Sequence, residues 1–220
     1  MRNFFYAGIS TLPLTIAGTC LILGLFTANY AMLFFLIGFL ICVPIVASFI
    51  NSVTDAVFKN GTLFRVPSNT VCSLVTPFLT LDSPMNSAKE SILFCSNGTA
   101  MIAFFFGYIM TNAVMMYMYP AEEGSSETLI TNRKMTTIIS MACITLFILM
   151  GLYYRWGSSC ETWYGFALGS ALFSILGYAW YLLLSNHGNN RLSDLFGIAN
   201  RLMVKSSTQQ NESIACFAPL

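Results

Sequence analysis

Charge is what this sequence has least of. Asp, Glu, Lys and Arg make up 9% of its 220 residues, against roughly 25% in an ordinary soluble domain. So few charges cannot cover a water-facing surface, which excludes a soluble globular protein. No sign dominates either. The net charge is +1, and the concentrated basic face that nucleic acid demands is missing. Histidine occurs once, at His187. The seven cysteines show no zinc spacing. No metal or cofactor is expected.

The missing charges leave long gaps. None lies between Arg2 and Asp55, Glu90 and Glu122, Lys134 and Arg155, or Glu161 and Arg191. A helix needs about 20 apolar residues to cross a hydrocarbon core about 30 Å thick. The first gap holds two spans and each other gap one. An all-α, multi-pass transmembrane bundle of five spans is expected, near 4–26, 31–50, 99–118, 135–153 and 164–184. The break at 27–30 is short, so the first two helices form a tight hairpin. Pro13 and Pro44 fall inside spans, where neighbouring helices satisfy the carbonyls they free. The first apolar run is too long for a signal peptide and lacks an A-x-A site. No lipidation motif is present.

Five spans put the N-terminus, segment 51–98 and loop 154–163 on one side. The 27–30 turn, loop 119–134 and the tail share the other. Lys and Arg divide evenly between the sides, so charge does not orient the chain. Sequons at Asn60, Asn97 and Asn211 fall on both sides and read as chance matches. Cys20, Cys42 and Cys143 read as core residues. Cys72, Cys95 and Cys160 share a side, which leaves room for one disulfide.

Segment 51–98 is the largest region outside the spans. Its patch VCSLVTPFLTL (71–81) is too short to cross and suits an interfacial or re-entrant path. Ser83-Pro84 and the Ser87/Glu90 capping pair predict a helix running into the third span, with Gly98 as a kink. The bundle is assigned 1–184 and the tail 185–220. Within the tail, RLSDLFGIANRLMVK (191–205) repeats apolar residues at helical spacing. It predicts an amphipathic helix, lying on the membrane surface or a partner, or folded back on the bundle.

The predicted spans carry no Asp, Glu, Lys, Arg or His, which argues against a proton-coupled transporter. His187 reads as an interfacial polar residue. Lys59, Arg65, Lys89 and Arg155 fall on one side. Such a cluster can hold a phosphate, or can be separate charges that fix topology.

The last predicted span and the loop before it, RWGSSCETWYG, are rich in small and aromatic residues. Gly165 and Gly169 form G-x-x-x-G, with Ala167/Ala171 and Ser170/Ser174 at the same spacing. Small residues let helices approach closely, within one bundle or between copies. Trp156, Trp163, Tyr164, Trp180 and Tyr181 mark the two ends as interfacial anchors.

Two resemblances follow from these residues. K-N-G-T-L-F-R-V-P (59–67), S-P-M-N-S (83–87) and Arg155 with Glu161 resemble, in order and placement, the three motifs of the type 2 phosphatidic acid phosphatase superfamily. The resemblance implies a phosphate site in which Glu161 stands at the nucleophilic histidine and Gly165 at its aspartate. The S-P-M-N-S stretch has no histidine after Pro84. With those groups replaced, family-type hydrolysis is not expected, and Lys59, Arg65 and Arg155 become a vestigial phosphate site. Arg155 and Glu161 are expected to pair structurally.

Residues 155–184, with P-S-N-T-V-C (67–72), S-P-M-N-S and the aromatic third span, resemble multi-pass membrane proteins of large icosahedral double-stranded DNA viruses. That resemblance implies a minor capsid component in the virion's internal membrane, or in host membrane during assembly. Its partners would be the bilayer and other capsid or membrane proteins. The expectation is a non-catalytic pseudoenzyme scaffold. An active lipid-phosphate phosphatase and a channel or transporter are the alternatives.

Overall fold

A computed structural model describes residues 11–58, 65–66, 91–92, 94–118, 127–157, 162–188 and 192–195. It is an all-α bundle. In chain order come α1 (Leu12–Phe26), α2 (Tyr30–Ile37), a π-helical turn (Gly38–Cys42), α3 (Val43–Phe58), α4 (Asn97–Met118), α5 (Glu127–Gly157) and α6 (Trp163–Gly188). The two-residue strands β1 (Arg65–Val66) and β2 (Ser91–Ile92) pair antiparallel between α3 and α4. Tyr30–Val57, Asn97–Met118, Ile130–Gly151 and Trp163–His187 are each apolar and long enough to cross a membrane. Leu12–Phe26 is apolar and shorter. This is the architecture of a multi-pass integral membrane protein.

The 27–30 break is built by capping. Asn29 N–H reaches back to the Gly24 carbonyl at 3.0 Å, the six-to-one bond of a Schellman ending. Ala28, between them, takes the left-handed conformation at φ 49°. Asn29 then caps α2, its side chain accepting from the Ala31 N–H at 3.1 Å. One asparagine thus ends one helix and starts the next. Pro13 falls in the first turn of α1, where its missing N–H has no partner to lose. Pro44 is handled differently. Its ring would crowd the carbonyl four residues back. The π-helical turn just before it widens the backbone, and Val43 N–H bonds five residues back to Gly38.

Directions follow from the contacts. Phe35 meets Tyr108 and Phe39 meets Phe104, so α2–α3 runs opposite to α4. Ile102 and Phe105 share a cleft with Phe147–Gly151, so α5 also opposes α4. The α4–α6 pair is parallel and closest. A side chain at Gly107 would overlap Ser174, and one at Gly177 would overlap the Phe104 carbonyl. Ser174 Oγ donates across this seam to the Ala103 carbonyl at 3.2 Å. Phe35, Phe39, Phe104, Tyr108 and Phe173 fill the centre and are 0% exposed. Phe35 stacks on Phe39 at 5.4 Å. In lipid, such close packing and interhelical hydrogen bonds hold a bundle together.

Three expectations change. The helix of the second span continues to Phe58 rather than stopping near 50. Ser52 and Thr54 hydroxyls bond their own helix carbonyls at 2.9 and 2.8 Å, so these polar residues do not end it. The third span does not continue a helix from 83–90. Ser91–Ile92 is extended, Phe94–Cys95 bends, and α4 starts at Asn97. Ser96 Oγ accepts from the Thr99 N–H at 3.3 Å and starts the helix there, so Gly98 lies in its first turn. Finally, Leu192–Leu195 is turn rather than α-helix. The rest of 191–205 lies outside the described residues.

Candidate functional site

These directions give the bundle two ends. One carries Phe58, β1, β2, the start of α4, the end of α5 and the start of α6. The sequence places the cluster of Lys59, Arg65, Lys89 and Arg155 here. Arg65 pairs with Ile92 across the two-residue ladder, and Arg155 belongs to the last turn of α5. The crossing order therefore brings both backbones to the same end. Lys59, Lys89, Glu161, the side chains of Arg65, Arg155 and Trp156, and segments 67–72, 71–81 and 83–87 lie outside the described residues.

The described part of this end is organised by Asn51. Its Oδ1 accepts from the N–H groups of Phe94 and Cys95 at 3.0 and 3.2 Å. Its Nδ2 donates to the Cys95 carbonyl at 3.1 Å. A single amide thereby satisfies three backbone groups of the bend that follows β2. Unpaired, those groups would be costly at a membrane boundary. Gly165 lies under the Phe94 carbonyl, and Gly169 under the Cys95 side chain. The G-x-x-x-G thus packs inside this chain. Cys95 is buried, 1% exposed. Its side chain lies against Gly169, and Cys72 and Cys160 lie outside the described residues. Thr99 of the Asn97 sequon is 0% exposed, in keeping with a chance match.

The predicted anchors separate into two kinds. Trp163 and Tyr164 open α6 and are 59% and 57% exposed, with Trp163 stacked on Phe166 at 6.3 Å. Trp180 is partly buried against the bundle, and Tyr181 is buried in it. Trp180 Nε1 donates to the Phe34 carbonyl at 3.3 Å, and its ring covers Gly38. Tyr181 is 4% exposed and meets the Tyr108 ring edge-on at 5.4 Å. α6 continues to Gly188, about two turns beyond Tyr181.

The opposite end carries the 27–30 turn, the end of α4, the start of α5 and the end of α6. Lys134 Nζ lies 5.9 Å from the centre of the Tyr117 ring, a distance typical of a cation–π contact. His187 Nδ1 lies 3.0 Å from the Leu183 carbonyl of its own helix. Tyr108 Oη donates to the Ser193 carbonyl at 2.9 Å, and Asn29 Nδ2 to the Leu195 carbonyl at 3.2 Å. Among the described residues no group of three His, Cys, Asp or Glu side chains is placed to hold a metal.

Asn29, Asn51 and Tyr108 were not singled out from the sequence. Asparagine immediately before an apolar run is a helix-start signal, and that alone could have flagged Asn29. Asn51 and Tyr108 act on backbone far away in the chain, which no local pattern announces. Comparison with protein families, with curated proteins and with solved structures finds no match.

Proposed function

We propose that this chain crosses the membrane five times and acts as a non-catalytic structural component of a membrane-bound assembly, the internal membrane of an icosahedral virion. The fifth crossing is α1 with the residues before it. The observation that carries the structural role is the interior. Phe35, Phe39, Phe104, Tyr108 and Phe173 interlock where a conduit would need polar lining or space. The outer surface stays apolar around the bundle, with Leu25 64%, Phe49 69% and Ile175 66% exposed, as lipid contact favours. The virion setting rests on the resemblance carried by residues 155–184, and the capsid or neighbouring membrane proteins are the proposed partners. Lys59, Arg65 and Arg155 are read as the remains of a phosphate site, with Glu161 where a nucleophile would stand.

The test is reconstitution of the purified chain into liposomes containing phosphatidic acid, with phosphate release and solute flux followed together. Both should stay at the level of protein-free liposomes. Phosphate release that disappears with Arg155→Ala would establish a lipid-phosphate phosphatase instead. Selective flux would establish a channel or transporter. Cross-linking in the native membrane should then join the chain to a small, repeated set of structural neighbours.

A further inference from the structure

Leu192–Leu195 follows the last membrane helix, and yet three of its four residues are buried. Ser193 is 0% exposed, Leu195 1% and Asp194 3%. Non-helical backbone at this depth is tolerated only where protein satisfies it. Two side chains do so. Tyr108 of α4 donates to the Ser193 carbonyl at 2.9 Å, and Asn29 of the α1–α2 turn donates to the Leu195 carbonyl at 3.2 Å. The Tyr108 ring rests against Tyr181, about two turns before the end of α6. Ser193 therefore lies beside the last turns of α6. Leu195 joins the apolar core there, with Leu192 packed against it.

We infer that Leu192–Leu195 is a re-entrant latch. It ties the α1–α2 turn to the α4–α6 pair. The latch is separable from the fold. Gly165, Gly169, Gly107 and Gly177 seat α6 on α4 without it, and Phe35, Phe39 and Trp180 seat α2 without it. Contacts on this small scale open locally while the bundle persists. A partner that pulls on the tail reaches the α1–α2 turn through Leu195 and α4 through Ser193. Opening the latch releases the Asn29 and Tyr108 donors together.

Hydrogen exchange on the full chain in lipid nanodiscs tests this. Amides of 192–195 should exchange at least about ten-fold more slowly than in a free peptide, because they are buried. Tyr108→Phe keeps the ring and removes only the hydroxyl. Asn29→Ser keeps an acceptor for the Ala31 N–H and removes the amide donor. Each should speed exchange at 192–195 roughly five-fold, the scale of one hydrogen bond. Tyr108→Phe should also speed it at 28–31, a region it does not touch. Exchange within 100–107 should not change, which separates latch opening from unfolding. Should a variant not fold, the parent protein still carries the test. Parent exchange at 192–195 as fast as in a free peptide would overturn the latch. An unchanged 28–31 segment in folded Tyr108→Phe would overturn the coupling.

Discussion

The apolar stretches of α4 and α5 are neighbours of nearly equal mean hydropathy, yet 61% of that of α4 is buried in the bundle and 17% of that of α5. Apolarity thus selects the membrane and does not select the interior. In lipid the outside is as apolar as the inside, so position depends on shape. α4 buries Ala100, Ala103, Gly107 and Ala113 among its large aromatics, and other backbones come close to it. α5 presents Leu146, Leu149 and Tyr153 outward, at 63%, 60% and 73% exposure. In α4, small residues beside aromatics go with the central position.

The contrast can be broken most strongly at the α4–α6 seam. Gly177→Leu drives a side chain into the Phe104 carbonyl and should destabilise the bundle by about 3 kcal/mol, the upper range of overpacking. Reversible unfolding in mixed micelles would show it. Next in size, Asn51→Ala removes the partner of the Phe94 and Cys95 N–H groups and of the Cys95 carbonyl. A loss of about 2 kcal/mol is expected. Asn51→Asp keeps the acceptor and should lose less, and an equal loss would show that the amide clip is not what matters.

Ala28→Gly removes the strain of a left-handed alanine and should stabilise by about 1 kcal/mol. A raised midpoint in the same unfolding measurement checks it. The smallest effect sharpens the comparison from the other side. Leu146→Ala on the lipid-facing side of α5 should change stability by less than about 0.5 kcal/mol. A loss as large as that of Gly177→Leu would mean that this side of α5 is a protein interface.

The crossings were legible because charge gaps mark them. The expected 99–118 and 164–184 compare with Asn97–Met118 and Trp163–Gly188. The errors lie where helices outlast their apolar stretch. α5 begins at Glu127 and carries Asn132, Arg133 and Lys134 before its apolar part, because backbone hydrogen bonds do not stop at the membrane boundary. The G-x-x-x-G could be read as a close-packing surface, and its partners at Phe94 and Cys95 could not. Leu192 and Leu195 lie in a turn, where residues three apart also share one side, and the rest of the expected 191–205 helix lies outside the described residues. At the candidate site, Arg65 and Arg155 could be assigned to one end by counting crossings. The amide clip of Asn51 and the tail contacts of Asn29 and Tyr108 join residues distant in sequence, and only the fold brings them together.

The number of crossings underlies the whole account, and protease protection of tags at the two ends of this chain, in sealed membrane vesicles, tests it most directly. Five crossings place the ends on opposite faces, so one tag should be cleaved from outside while the other is cleaved only after the membrane is opened. If both tags are cleaved together from outside, or both are protected, the count is even and the proposed topology is wrong.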